Sequence, residues 1–113
     1  MASKKGNKKT SSRADKTLEH VKKHHPHLYR AMKNPTPRTR LGANVKDFRL
    51  KKGLNHEQLA ARAGIGISVL RKIEEAHPAS NPSMRVLERM SKALGVDITD
   101  LFRFITLAEV VVR

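Results

Sequence analysis

Three features of this chain predict an all-α fold. Apolar residues between Leu41 and Phe102 recur at spacings of three and four, the period of one helix face. Asn55, Asn81 and Asp97 stand where such runs begin, and Gly53, Gly64 and Gly95 where they end. Side chains of the first kind satisfy the free amides of a helix start, and glycine turns left-handed past a helix end. The core-forming residues fall into five short helices around one centre, with contacts that are mostly local.

Taken in order, Met1–Ser12 (MASKKGNKKTSS) is low in complexity and lacks side chains able to build a core, so disorder is expected. From Asp15 to Lys33 a weaker helical pattern follows, with Asp15 as cap and Leu18 and Val21 on one face. Pro26 interrupts it and starts a second short turn carrying Leu28, Tyr29 and Met32. The sequence leaves open whether this part docks on the domain or on a second subunit. Asn34-Pro35-Thr36-Pro37 reads as an extended linker, because each proline biases its predecessor away from helix. Residues 1–40 therefore form a basic arm and linker, and residues 41–103 the domain proper.

The first domain helix starts near Arg40 and carries Leu41, Val45, Phe48 and Leu50 inward, with Lys46, Arg49, Lys51 and Lys52 mostly outward. Gly53 closes it. Asn55 opens the next helix, with Gln58 three residues on at the capping-box position. Leu59, Ala60 and Ala63 form its inner stripe, and Gly64 ends it. A second apolar set, Ile65, Val69, Leu70 and Ile73, lies on the following helix. The small Ala60 side chain allows the two helices to cross closely. After the loop Ala76–Ser80, Asn81 caps a fourth helix with Pro82 at its first position. Met84, Leu87, Met90, Ala93 and Leu94 are expected inside. Asp97 caps a fifth carrying Ile98, Leu101 and Phe102. The last segment, 104–113, is rich in β-branched residues, with three consecutive valines. Either the fifth helix runs on, or the segment is a strand. A lone strand in an all-α domain would have to pair with its copy in a second subunit, and this dimer-forming strand is the preferred expectation.

The stretch NHEQLAARAGIGISVLRKIEE, Asn55–Glu75, has the pattern of a helix-turn-helix, which lays one helix in the DNA major groove. Gly53-Leu54, Glu57-Gln58-Leu59-Ala60, Ala63-Gly64-Ile65, Leu70 and Ile73-Glu74 all stand in register with the lambda-repressor-like (phage repressor, XRE-type) helix-turn-helix family. The resemblance extends through Asn81-Pro82-Ser83 and Ala93-Leu94-Gly95-Val96-Asp97 to Asp100-Leu101-Phe102, covering about residues 41–103.

That resemblance implies that helix 66–75 reads bases, with Gly66, Ile67, Ser68, Arg71 and Lys72 at the surface facing DNA. The sequence departs from the family pattern in two places: Gly66 lacks the usual hydroxyl, and Ile67 replaces a usually polar residue. Isoleucine cannot read a hydrogen-bond code but packs on a thymine methyl, whereas Lys72 can donate to guanine O6 and N7. Specificity is then expected to be lower than in a Gln- or Arg-rich reader, or to depend on DNA shape. Phosphate contact is expected at helix N-termini, from His56, where the family commonly has Gln, and from Asn81, with Arg49 and Lys51 as further candidates. Glu74 is expected to be structural, pairing Arg62 or Lys72.

Charge supports a polyanionic partner. The chain of 113 residues carries 24 Lys or Arg against 10 Asp or Glu, a net charge of +14. Twelve of those cations fall within residues 1–40, against only Asp15 and Glu19, so the excess is concentrated in the arm. The chain has no cysteine, which excludes a disulfide framework and a thiol nucleophile and suits a reducing cytoplasm, with nucleoid association expected. No run of some 18 apolar residues is present, so no membrane span is expected, nor is the apolar segment of a signal peptide seen. His20, His24, His25 and His27 raise a metal site, but Pro26 breaks the frame and no carboxylate or cysteine sits at matching spacing. A nucleic-acid-facing surface is the preferred reading, without metal or cofactor. Gly64-Ile65-Gly66 lacks the remaining elements of a phosphate-binding loop, and the acids sit among basic neighbours with no evident pocket, so catalysis is not expected. The sequence therefore predicts a dimeric, sequence-specific regulator of transcription that binds double-stranded DNA, most plainly a repressor. Two other readings stand beside it: an antitoxin whose second surface neutralises a toxin, and a cofactor bridging proteins of the transcription machinery.

Overall fold

Thr36 sets the start of the longest helix. The computed structural model describes residues 17–107, and in it the Thr36 hydroxyl accepts from the Thr39 amide at 3.1 Å. Pro37 follows at the first helical position, where its missing N–H is no loss. The first domain helix thus begins three residues before the expected Arg40, and the linker shortens to Asn34–Thr36. Around this helix, α3 (Pro37–Lys51), stand α1 (residues 17–24), α2 (Pro26–Lys33), α4 (His56–Ala63), α5 (Ile67–Glu74), α6 (Met84–Leu94) and a 3-10 helix, η1 (Ile98–Phe102). No strand occurs among the described residues. Residues 104–106 are irregular, and the remainder of the expected C-terminal strand, like Met1–Ser12 and the Asp15 cap, lies outside them.

Caps fix most boundaries. Asn55 and Gln58 form a reciprocal capping box: the Gln58 amide donates to Asn55 Oδ1, and the Asn55 amide to Gln58 Oε1, both at 2.8 Å. Asp97 and Asp100 repeat that arrangement at η1. For α6 the cap is Ser83, whose hydroxyl accepts from Val86 N at 3.2 Å, and not Asn81. The reason is that Pro82 stays outside the helix and leaves Asn81 in the loop.

One core holds α3 to η1 together: Leu41, Val45, Leu54, Leu59, Ala60, Ala63, Leu70, Ile73, Leu87, Met90, Leu94 and Leu101. Leu59, Leu70, Met90 and Leu101 are fully enclosed, each worth about 1.5–3 kcal/mol relative to exposure. Three expected core residues are outside. Leu50 is exposed because the inner face of α3 follows Leu41, Val45 and Phe48, which its position misses. Val69 is exposed because α5 starts at Ile67, so Leu70 and Ile73 define its inner face without Ile65 in register. Met84 is the first residue of α6 and lies beyond the buried stretch.

A second, smaller cluster joins Val21, Leu28 and Ala31 to Ala43 on the other side of α3, with Tyr29, Met32, Ile105 and Leu107 packed against it. The α1–α2 hairpin therefore docks on the domain of its own chain. The segment after η1 is tied to α3 by Asn44, which donates to the carbonyls of Leu101 (3.0 Å) and Arg103 (2.9 Å). Arg40 donates to the Phe102 carbonyl at 2.9 Å and lies 4.0 Å from the centre of the Phe104 ring.

Candidate nucleic-acid interface

Gly64 makes the turn between α4 and α5. It adopts φ 66°, ψ 38°, a left-handed conformation open to glycine at little steric cost. The following Ile65 amide reaches back to the Ala60 carbonyl at 3.0 Å, closing α4. Two residues later the chain re-enters helix at Ile67, with Gly66 in extended conformation as the cap residue. Gly66 offers no side-chain acceptor, so side chains do not cover the first-turn amides of α5.

The helix is divided sharply. Leu70, Ile73 and Glu74 are buried, while Ile67, Ser68, Val69, Arg71 and Lys72 are exposed. Ile67 is 38% and Val69 41% accessible, so both apolar side chains stand on the outer surface beside two cations and a hydroxyl. Gly66, Ile67, Ser68, Arg71 and Lys72, the residues expected to face bases, are thus all on exposed positions of one short element.

What holds α5 in place is its C-terminal end. Glu74 is buried, and Arg49 grips its carboxylate with two hydrogen bonds, Nε to Oε2 at 2.7 Å and Nη2 to Oε1 at 3.0 Å. The remaining Arg49 Nη1 donates to the Leu54 carbonyl at 2.9 Å. His56 Nε2 approaches Glu74 Oε1 at 3.0 Å. Three elements thus meet on one carboxylate. The backbone also fits closely: a Cβ on Gly42 of α3 would lie 2.5 Å from the Ile73 carbonyl oxygen and 2.9 Å from that of Glu74. Only glycine permits this approach.

The phosphate candidates fare differently. Arg49 is 5% exposed and its donors are spent on Glu74 and Leu54, so it is an internal clamp and not a phosphate contact. Burial of an unpaired guanidinium would be prohibitive, and pairing with Glu74 offsets that penalty. His56 directs Nε2 inward onto Glu74, and the expected partners of Glu74, Arg62 and Lys72, are replaced by Arg49 and His56. Lys51 remains half exposed, with Nζ 3.3 Å from Asp47 Oδ2. Asn81 is exposed in the loop preceding α6. The inward turn of Arg49 has a sequence signal: Leu41, Val45 and Arg49 are spaced four apart, so Arg49 continues the apolar face. Gly42 and Arg30, which touch α5 from α3 and α2, have no comparable signal.

Among the described residues, no group of three or more His, Asp or Glu side chains could hold a metal ion. The histidines 20, 24, 25 and 27 instead stack and tilt against one another, with His20 and His24 ring centres 4.4 Å apart. No described helix is long and apolar enough to cross a membrane.

A capped helix, a glycine turn and a second helix with an exposed polar face and a clamped end define a helix-turn-helix. The family model described as "Helix-turn-helix" matches residues 45–101, half of the chain, and the protein belongs to that family, in its XRE-type branch. The HTH-type transcriptional regulator SlrR of Bacillus subtilis is 37% identical over 62 residues, covering 55% of this chain and 40% of SlrR. The HTH-type transcriptional regulators SinR of Bacillus subtilis and of Bacillus licheniformis are each 36% identical over 61 residues, covering 54% of either chain. The chain thus spans about half or less of the length of these curated relatives. No solved structure matches it significantly.

Proposed function

We propose that this protein is a sequence-specific DNA-binding regulator of transcription that places α5 in the major groove. The observation that carries the reading is the division of α5. Ile67, Ser68, Arg71 and Lys72 face out, while Glu74 is locked to Arg49 and His56 so that this face is presented in one pose. A rigid helix bearing a lysine, an arginine, a hydroxyl and an apolar side chain can contact guanine, phosphate and the thymine methyl. Gly66 lets the backbone come close. Asn81 and Lys51 supply phosphate contacts beside it, and the basic residues of 1–40 add sequence-independent attraction.

The relatives named transcriptional regulators support the regulatory half of the proposal, in a non-enzymatic role. The repressor reading follows from a helix that occupies promoter DNA. The protein acts in the cytoplasm, on the nucleoid, as a homodimer. Selection from random duplexes with the purified chain tests all of this together. A palindromic consensus with half-sites about 10 base pairs apart is expected. Recovery of no consensus would overturn the reading, and an unpaired half-site would overturn the dimer.

A further inference from the structure

The α1–α2 hairpin lies outside the family match, which begins at Val45, yet it reaches the reading helix. Arg30 of α2 donates through Nη2 to the main-chain carbonyl of Glu74 at 3.4 Å, across 44 residues of sequence. That carbonyl is in the last turn of α5, where the final four C=O groups have no partner within the helix. A cation at this point satisfies an orphan acceptor and complements the negative end of the helix dipole. The same end of α5 is held on its carboxylate by Arg49 and His56 and on its backbone by the close approach of Gly42.

Arg30 is itself exposed, but the helix that carries it is anchored. Leu28 and Ala31, on either side of it, are 1% exposed and pack on Ala43, the neighbour of Gly42 in α3. His27, also buried, points to Asp47 of α3 at 3.5 Å. Together Pro26, His27 and Arg30 of α2, Lys46 of α3 and Glu74 and Glu75 at the end of α5 surround a cavity of about 260 Å³. The hairpin is thus seated against the end of the reading helix.

We infer that Arg30 is a positioning residue for DNA reading, and that the α1–α2 hairpin is a brace that sets the pose of α5 from outside the helix-turn-helix. The inference rests on the proposed function, since it concerns how that helix meets bases. Arg30 touches no DNA in this role; it acts through Glu74. Its loss leaves the exposed side chains of α5 intact but lets the helix tilt. Contacts that need exact placement suffer, and contacts that only need charge do not.

The test compares Arg30→Ala, Arg30→Lys and Lys33→Ala in the full chain. Lys33 lies on the same hairpin, over the Tyr29 ring, and controls for the loss of one positive charge. Affinity is measured for a duplex recovered by the selection and for a scrambled duplex at one salt concentration. Arg30→Ala should lower the ratio of the two affinities about three- to tenfold, as loss of an ordinary, partly exposed hydrogen bond implies, with thermal unfolding nearly unchanged. Lys33→Ala should weaken both duplexes equally, and Arg30→Lys should restore most of the ratio. A readout without DNA accompanies it: amide exchange at Glu75, Ala76 and His77, whose N–H groups close α5, should quicken in Arg30→Ala only. Unchanged exchange, or an Arg30→Ala that behaves as Lys33→Ala does, overturns the brace. A wild type that does not distinguish the duplexes, with exchange still responding to Arg30→Ala, overturns the DNA reading instead.

Discussion

Arg49 and Glu74 form a bidentate ion pair inside the domain, with N–O distances of 2.7 and 3.0 Å and both side chains almost wholly buried. They stand 25 residues apart, one on the helix that organises the core and the other on the reading helix. Planar guanidinium and carboxylate fix both position and angle, so the pair sets how α5 sits on α3. Its main effect is on orientation, because desolvation offsets much of the attraction between buried charges.

Removing one partner should therefore be worse than removing both. Arg49→Met leaves Glu74 buried with His56 alone, and should cost about 3–5 kcal/mol in equilibrium denaturation. The double variant Arg49→Met with Glu74→Leu should recover a large part of that loss while still binding the selected duplex poorly. Equal stability losses in the single and double variants would argue against this account.

Lys72→Ala should weaken binding to the selected duplex by about 1–3 kcal/mol, the worth of a base contact, and hardly change binding to random DNA. Ile67→Ala should act through a thymine methyl. Replacing that thymine with uracil should then weaken the wild type and leave the variant unaffected. Titrations on both duplexes at matched salt check each statement.

Ala76 is the one non-glycine residue with positive φ among the described residues, at 53°. It closes α5 as Gly53, Gly64 and Gly95 close their helices: the His77 amide reaches the Lys72 carbonyl at 3.0 Å, just as Leu54, Ile65 and Val96 reach back in theirs. The alanine Cβ makes that conformation costly. Ala76→Gly should stabilise the domain by about 1 kcal/mol, seen as a higher melting temperature with the DNA contacts unaltered. A lower melting temperature would mean that the strain is absent.

Asp97 gives the pH dependence a definite sign. The amide of Thr99, first, and then its hydroxyl donate to the Asp97 carboxylate, holding its pKa below the ordinary 3.8. A carboxyl with a depressed folded pKa stabilises the domain above its unfolded value, and this contribution is lost as pH falls through the folded one. The loss therefore occurs below about pH 4. Asp97→Asn keeps a capping side chain but cannot titrate, so its melting temperature should fall less steeply than that of the wild type between pH 5 and pH 3. Parallel curves would rule out Asp97 as the source.

The helix-turn-helix was legible because its rules are local. Asn55 with Gln58, the glycine at 64 and the apolar spacing of Leu59, Ala63, Leu70 and Ile73 each act within a few residues. Contacts that close over long separations were not legible. Arg49 continues the spacing of Leu41 and Val45, but its charge argues for the surface, and the carboxylate that outweighs that argument lies 25 residues away. Gly42 shows no pattern of its own, since its role is to let another backbone approach. Asn81 and Ser83 both qualify as caps by type, and the choice between them depended on where Pro82 could sit. Leu50, Val69 and Met84 belong to apolar stripes in the sequence, whereas the actual helix phase and start positions put them outside.

The second cluster has a consequence for how the molecule comes apart. Val21, Leu28 and Ala31 from one end of the described chain share a small apolar centre with Ile105 and Leu107 from the other. Neither end can detach without uncovering the partner surface of the other, so the two should open together as one cooperative unit at lower free energy than the domain core. A cut or a bulky fusion near residue 107 should then raise proteolytic access at residues 17–33, 74 to 90 positions earlier in the chain, before the helix-turn-helix itself loosens. The two ends, remote in sequence, would behave as a single latch across the back of α3.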